Sequence, residues 1–226
     1  MHGKAIIITG ASGALGKVVA DAAVARGARV AGINRAAAKG GATADRIDLG
    51  GVDLSDAAQA LQAVDAAAAH FGRLDALINI AGAFTFETVA DGDPKTWQRL
   101  YTINVTTALN ASRAAIPHLV ASGAGRIVNI GAVAALQANA GMGAYAASKA
   151  GVHRLTEALA AELKGKVTVN AVLPSIIDTP ANRRDMPKAD FTAWVTADEL
   201  ANVILFLASD AASAVTGALL PVRGRV

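Results

Sequence analysis

Short β-branched runs alternate along this chain with longer stretches of helical apolar periodicity. Lys4-Ala-Ile-Ile-Ile-Thr9 predicts a buried central strand of a parallel sheet, followed by a helix from about Ala14 to Arg26. Arg29–Asn34 predicts the second strand; Ala36–Gly51, rich in alanine and glycine, holds at most a stunted helix. Val52-Asp53-Leu54-Ser55-Asp56 introduces an apolar-periodic helix to about Phe71, and Ala76–Asn79 is the next buried strand. Asp93-Pro94 is a helix-start signal for one long helix through Asn104 to near Val120. A strand at Arg126–Ile130, a helix from Tyr145 to Leu163 and a strand at Val167–Leu173 follow. Residues 175–197 form a long irregular segment of the kind that covers an active site. Thr196-Ala-Asp-Glu199 is a capping box for a helix to Ser209, and Leu219–Val222 closes the sheet. With no linker or low-complexity break, residues 1–226 read as one α/β domain, a doubly wound parallel sheet of about seven strands.

Composition narrows the function classes. The 226 residues are 53% hydrophobic, heavy in alanine, and only 4% aromatic, which suits helices packed closely on a sheet. No charge-free apolar run reaches membrane-spanning length, and Met1-His2-Gly3-Lys4 leads directly into a strand, so neither a membrane span nor a signal peptide is expected. A cytoplasmic location is the expectation. There are no cysteines, and the four histidines are scattered without metal-ligand spacing, so no metal site is expected. A net charge of +3 with no basic block interleaved with aromatics gives nucleic-acid binding little support; Arg183, Arg184 and Lys188 read as solvated charges.

Two stretches carry chemistry. Gly10-Ala-Ser12-Gly13-Ala-Leu15-Gly16 lies between a strand and a helix, where glycines admit a pyrophosphate and the helix N-terminus offers unpaired amides. A tight turn needing glycine is the plain alternative, and three glycines at this junction favour the nucleotide. At the end of the second strand, where an acid selects a ribose 2′-hydroxyl, stand Asn34 and Arg35. A neutral amide beside a guanidinium favours NADP(H) over NAD(H). Downstream, Tyr145-Ala-Ala-Ser-Lys149 puts a phenol and an ammonium on one helix face. The ammonium favours the phenolate, bringing the tyrosine toward neutral pH as a proton donor or acceptor. Alone, this pair is also what an interfacial tyrosine and a solvated lysine would look like.

Taken with Thr9-Gly10, Gly13, Gly16, Asp53, Asn79-Ile-Ala-Gly82, Asn104, and Pro174 followed by Thr179, these stretches resemble the short-chain dehydrogenase/reductase family over essentially the whole chain. The resemblance implies a Rossmann fold and an NAD(P)-dependent oxidoreductase acting on a small molecule. It implies that Tyr145 exchanges the proton, Lys149 binds the nicotinamide ribose, and Asn104 holds a water linking Lys149 to solvent. The glycine turn would hold the pyrophosphate, Asp53 the adenine amine, Asn79 and Gly82 the strand edge beside the adenosine ribose, and Thr179 the carboxamide. Ser12, Leu15, Leu54, Ala81, Pro174 and Ile177 would complete the cofactor groove. From the residues alone, Asp53, Asn79 and Asn104 would be caps or turn residues. A homo-oligomer, tetramer or dimer, is implied as well, in keeping with small apolar residues on the helices at 104–120 and 145–163.

One position departs from the family pattern. Thirteen residues before Tyr145, where most members carry a serine facing the substrate oxygen, stands Ala132. Losing one donor at a developing oxyanion costs ~2.7–4 kcal/mol. The last third of the chain, with Val152-His153 and Val172–Trp194, resembles the dihydropteridine reductases, which share this alanine and reduce a conjugated imine. Three functions follow: an NADP(H)-dependent reductase of a carbonyl or conjugated imine, a dihydropteridine-reductase-like enzyme, and a nucleotide-binding sensor or scaffold with weakened catalysis.

Overall fold

The computed structural model describes residues 1–38 and 41–226. Seven strands, β1 (Ala5–Thr9), β2 (Arg29–Ile33), β3 (Arg46–Leu49), β4 (Ala76–Asn79), β5 (Gly125–Ile130), β6 (Val167–Pro174) and β7 (Leu219–Val222), form one parallel sheet. The order β3-β2-β1-β4-β5-β6-β7 means that the chain winds outward from β1, then returns to β1's other side. That reversal opens a crevice at the carboxyl ends of β1 and β4, where Rossmann-like folds bind ligands. The central strands are fully buried, as their unbroken aliphatic runs require.

Helices cover both faces. α1 (Ala14–Ala25) and α7 (Ala197–Leu207) bury Leu15, Val19, Leu200 and Ile204 against Ile6, Ile8 and Ile78. On the other face α2 (Ala57–Phe71), α4 (Thr107–Ala121) and α5 (Gly143–Glu162) pack Val64, Leu119 and Leu159 with Ile7, Leu77 and Ile127. Alanines line both contacts, which lets the helices approach closely. Asp56 caps α2 through the amides of Ala58 and Gln59, and the Thr196/Glu199 capping box starts α7 as expected.

Three expectations are corrected. The stretch Ala36–Gly51 carries β3, and no helix lies among its described residues; Lys39 and Gly40 lie outside the described residues. Arg-Ile-Asp-Leu alternates polar and apolar, the pattern of a half-buried edge strand, and β3 occupies the otherwise open edge of β2. The helix expected from Asp93 to Val120 is interrupted: α3 (Pro94–Tyr101) passes through a π turn at Thr102–Thr106 into α4. The segment at 175–197 is more regular than expected. It contains α6 (Pro180–Asp185) and a 3-10 turn at Phe191–Ala193, and a bridge between Ile177 and Val195 closes its base. Trp194 is buried beneath it, and the Asp178–Arg183 ion pair and the Arg183 guanidinium over Phe191 brace it.

Candidate functional site

The glycine turn packs backbone on backbone. Gly10 sits at φ +68°, donates its N–H to Ile33, and leaves no room for a side chain beside Ala81. A methyl on Gly16 would lie 2.1 Å from the Gly10 carbonyl oxygen, so α1 starts against the turn only because residue 16 has none. Gly13 is the N-cap of α1 and no side chain caps that terminus, so the first-turn amides face the crevice unpaired. An anionic pyrophosphate fits this cradle. Asn34 accepts a 2.8 Å hydrogen bond from the Ser12 amide through Oδ1, which fixes the turn to the end of β2. Arg35 is exposed beside it and makes no ion pair among the described residues.

The neighbouring crevice wall is held by side chains that also serve the fold. Thr9 Oγ1 accepts the amides of Ile80 and Ala81, pinning the exit of β4 to β1. Asp53 turns one carboxylate oxygen to the amide and hydroxyl of Ser55, which holds its carboxyl below the usual range. The amide of Asn110, which sequence reasoning did not single out, donates to the carbonyls of Leu54 and Ser55 and secures the same loop. Asn79 points into the protein: its Nδ2 donates to Ser112 and Asn129, while its Oδ1 is buried without a partner among the described residues. Thr179 caps α6 through the Asn182 amide, and Pro174 ends β6 beneath it.

Tyr145 and Lys149 lie one turn apart at the start of α5. Lys149 is 6% exposed, and its Nζ donates 2.7 Å to the Ile130 carbonyl at the end of β5. Asn104, in the π turn, clamps Ala83 by both its amide and carbonyl and donates to Ser148 Oγ, which in turn donates to the Tyr145 carbonyl. Interrupted helices of this kind recur at functional sites, because the wider turn aims a residue that a regular helix would not. A methyl on Gly82 would fall 2.7 Å from Asn104 Oδ1 and 3.4 Å from Lys149 Nζ, so the crevice wall closes on both groups there. Thus Tyr145, Lys149, Asn104 and Gly82 meet at the carboxyl edge, next to the glycine turn. Ser148 and Phe84 belong to this group as well; the Phe84 ring stands edge-on to Tyr145 at 4.9 Å between centroids. A serine inside a Tyr-x-x-x-Lys spacing was the available signal for the first; nothing in the sequence pattern marked Phe84.

Burial controls the charges. It pushes Tyr145 up to about 12, opposite to the shift expected from a neighbouring ammonium, because Lys149 turns to Ile130. It lowers Lys149 to about 8. Ala132 is buried in extended backbone, and its amide faces His153 Nε2 at 3.4 Å. Burial, then the Arg154 and Lys149 cations, bring His153 down to about 4.

The short chain dehydrogenase profile matches residues 4–190 of this chain. A curated relative, 2-(S)-hydroxypropyl-CoM dehydrogenase 3 of Xanthobacter autotrophicus, is 34% identical over 99% of this chain and 96% of its own length. The 3-oxoacyl-(acyl-carrier-protein) reductase of Salmonella typhimurium is 33% identical, covering 99% of this chain and 97% of the relative. Among solved structures, a short-chain type dehydrogenase/reductase from Mycobacterium ulcerans superposes with a TM-score of 0.91 at 28% identity, over 100% of this chain and 90% of that one.

A buried neutral histidine makes the fold acid-sensitive. The folded state holds His153 below its unfolded value, so its contribution is complete above about pH 6.5 and is lost as pH falls toward about 4. Denaturant unfolding midpoints measured across that window should fall by the equivalent of up to ~3 kcal/mol. His153→Gln, which keeps an acceptor but does not titrate, should flatten the slope.

Proposed function

Because the chain belongs to the short-chain dehydrogenase/reductase family, an oxidoreductase family that uses NAD(P)(H), we propose that it reduces a small carbonyl compound with NADP(H), or oxidises the corresponding alcohol. The observation that carries this reading is the meeting of Tyr145 and Lys149 with the uncapped α1 terminus in one crevice. Both relatives' names describe alcohol or oxo-group chemistry, which supports a carbonyl–alcohol couple. When bound, the nicotinamide supplies or takes up the hydride at the substrate carbon.

The chain's own residues handle the proton. Tyr145 Oη, a phenol throughout the neutral range, gives its proton to the substrate oxygen in reduction. Lys149, still charged at pH 7, offers positive charge at that edge and donors to a ribose. Asn104 holds Ala83 and Ser148 so that the crevice wall and the first turn of α5 keep their spacing. The protein is read as one domain, 1–226, acting in the cytoplasm; no helix among its described residues is long and apolar enough to cross a membrane.

A second reading rests on Ala132. With a methyl where an oxyanion donor usually stands, a localised oxyanion loses more stabilisation than a delocalised charge does, which favours a conjugated imine or quinonoid acceptor such as a dihydropterin. The exposed ring of Phe84 beside Tyr145 suits a flat substrate. A catalytically weakened nucleotide sensor is the remaining reading, and the complete Tyr145–Lys149–Asn104 set weighs against it.

Titration should show tighter binding of NADPH than of NADH, with Asn34→Asp reversing the order; equal affinities in the wild type would refute the cofactor preference. In a screen of ketones, quinones and quinonoid dihydropterin, Tyr145→Phe should reduce turnover at least ~100-fold with little change in NADPH affinity. Ala132→Ser should help only substrates with a localised oxyanion. Light scattering should find a homo-oligomer, tetramer or dimer, since Trp97 and Tyr101 on α3 and Val120 on α4 lie exposed on adjacent helices. A stable monomer at micromolar concentration would reject that.

A further inference from the structure

The carboxylate missing from the end of β2 has a counterpart one strand away. Gly32 of β2 is aligned with Asp48 of β3, so residues 32, 34 and 48 face the same side of the sheet. Ala11 of the glycine turn lies on that side too. A methyl on Gly32 would come within 2.6 Å of Asp48 Oδ1, 2.9 Å of Ala11 Cβ and 3.5 Å of Asn34 Nδ2. The space that a side chain at 32 would fill is therefore taken by the Asp48 carboxylate. It reaches beneath the corner formed by Ser12 and Asn34, where the reading above places the adenosine ribose.

This carboxylate is only partly neutralised. Arg46 Nε stands 3.6 Å from Asp48 Oδ2, beyond a hydrogen bond, and the same guanidinium gives its NH1 to Asp21 at 3.2 Å. One cation is thus shared between two acids. The Asp48 side chain is 24% exposed, so the carboxylate is neither fully buried nor fully screened by solvent. Arg35, the residue after Asn34, is exposed, close enough to Asp53 to favour its carboxylate, and makes no ion pair among the described residues.

We propose that Asp48 is a specificity-determining residue for the dinucleotide: from β3 it opposes a ribose 2′-phosphate, against the attraction of Arg35. The proposal rests on the glycine turn being a dinucleotide site. A 2′-phosphate brings up to two negative charges to this corner, and a 2′-hydroxyl brings none, so only the phosphorylated ligand feels the repulsion. The hydroxyl gains an acceptor nearby instead. Gly32 is the permissive element, since any larger residue would push the carboxylate out of the corner. Cofactor preference is then the difference between a cation at the end of β2 and an anion on β3, and NADPH preference is narrower than Arg35 alone would make it.

The test compares the full-length protein with Asp48→Asn and Arg46→Gln. NADPH and NADH are titrated by nicotinamide fluorescence, and adenosine 2′,5′-bisphosphate and 5′-ADP by calorimetry, which needs no hydride transfer. Asp48→Asn should tighten the two 2′-phosphorylated ligands about five- to tenfold and change the other two less than about twofold, with the gain shrinking as salt rises. Arg46→Gln, which frees the carboxylate of its cation, should move the ratio the other way. An unchanged ratio in both variants, or an equal change for all four ligands, overturns the proposal. Failure of the wild type to bind any of the four overturns the dinucleotide reading itself, and the proposal with it.

Discussion

Lys149 carries its ammonium where almost no water reaches it, and that placement sets demands on everything around it. A buried cation needs its donors satisfied on the spot, and among the described residues its hydrogen-bond acceptor is the carbonyl of Ile130, at the last residue of β5. α5 must therefore lie close enough over the strand end to deliver the side chain. Gly82 keeps the opposite wall free of atoms that would displace the ammonium. The same desolvation weakens the hold on its proton, so the fold carries this cation at a cost.

Around this group the molecule uses amide side chains as fixed braces. Asn104 ties the wall to α5, Asn110 ties the Asp53 loop to α4, and Asn34 ties the glycine turn to β2. Each spans elements distant in sequence with hydrogen bonds that only one geometry satisfies. Such braces hold the crevice in shape before any ligand arrives, so less ordering remains to oppose binding.

The parts of this design differ in how readable they are from the chain. The aliphatic strands and the helix starts at Asp93 and Thr196 are local patterns, and they were legible; the glycine turn between β1 and α1 and the Tyr145–Lys149 pair on one helix are local spacings too. β3 was not, because four half-buried residues of alternating polarity carry little signal until β2 shows an open edge beside them. The direction of the Tyr145 shift was misread for a related reason. Spacing places the lysine on the same face, but only the packed structure shows that its ammonium turns to a strand carbonyl. Gly32 likewise has no meaning in sequence until the register sets it opposite Asp48.

The π turn between α3 and α4 has one more consequence. It admits one residue beyond what a regular helix would hold, so the two helices it joins are out of phase by about 100°. Leu100 and Thr96 are buried on α3, while Asn110 and Ser112 are buried on α4, and both sets face inward only because of that extra residue. Loss of a single residue here would leave the helix smoother and more regular as a helix. It would also turn one half of it by about 100°, carrying part of its buried face out of the protein. In this chain a local irregularity is what keeps a long segment in register with two different neighbours.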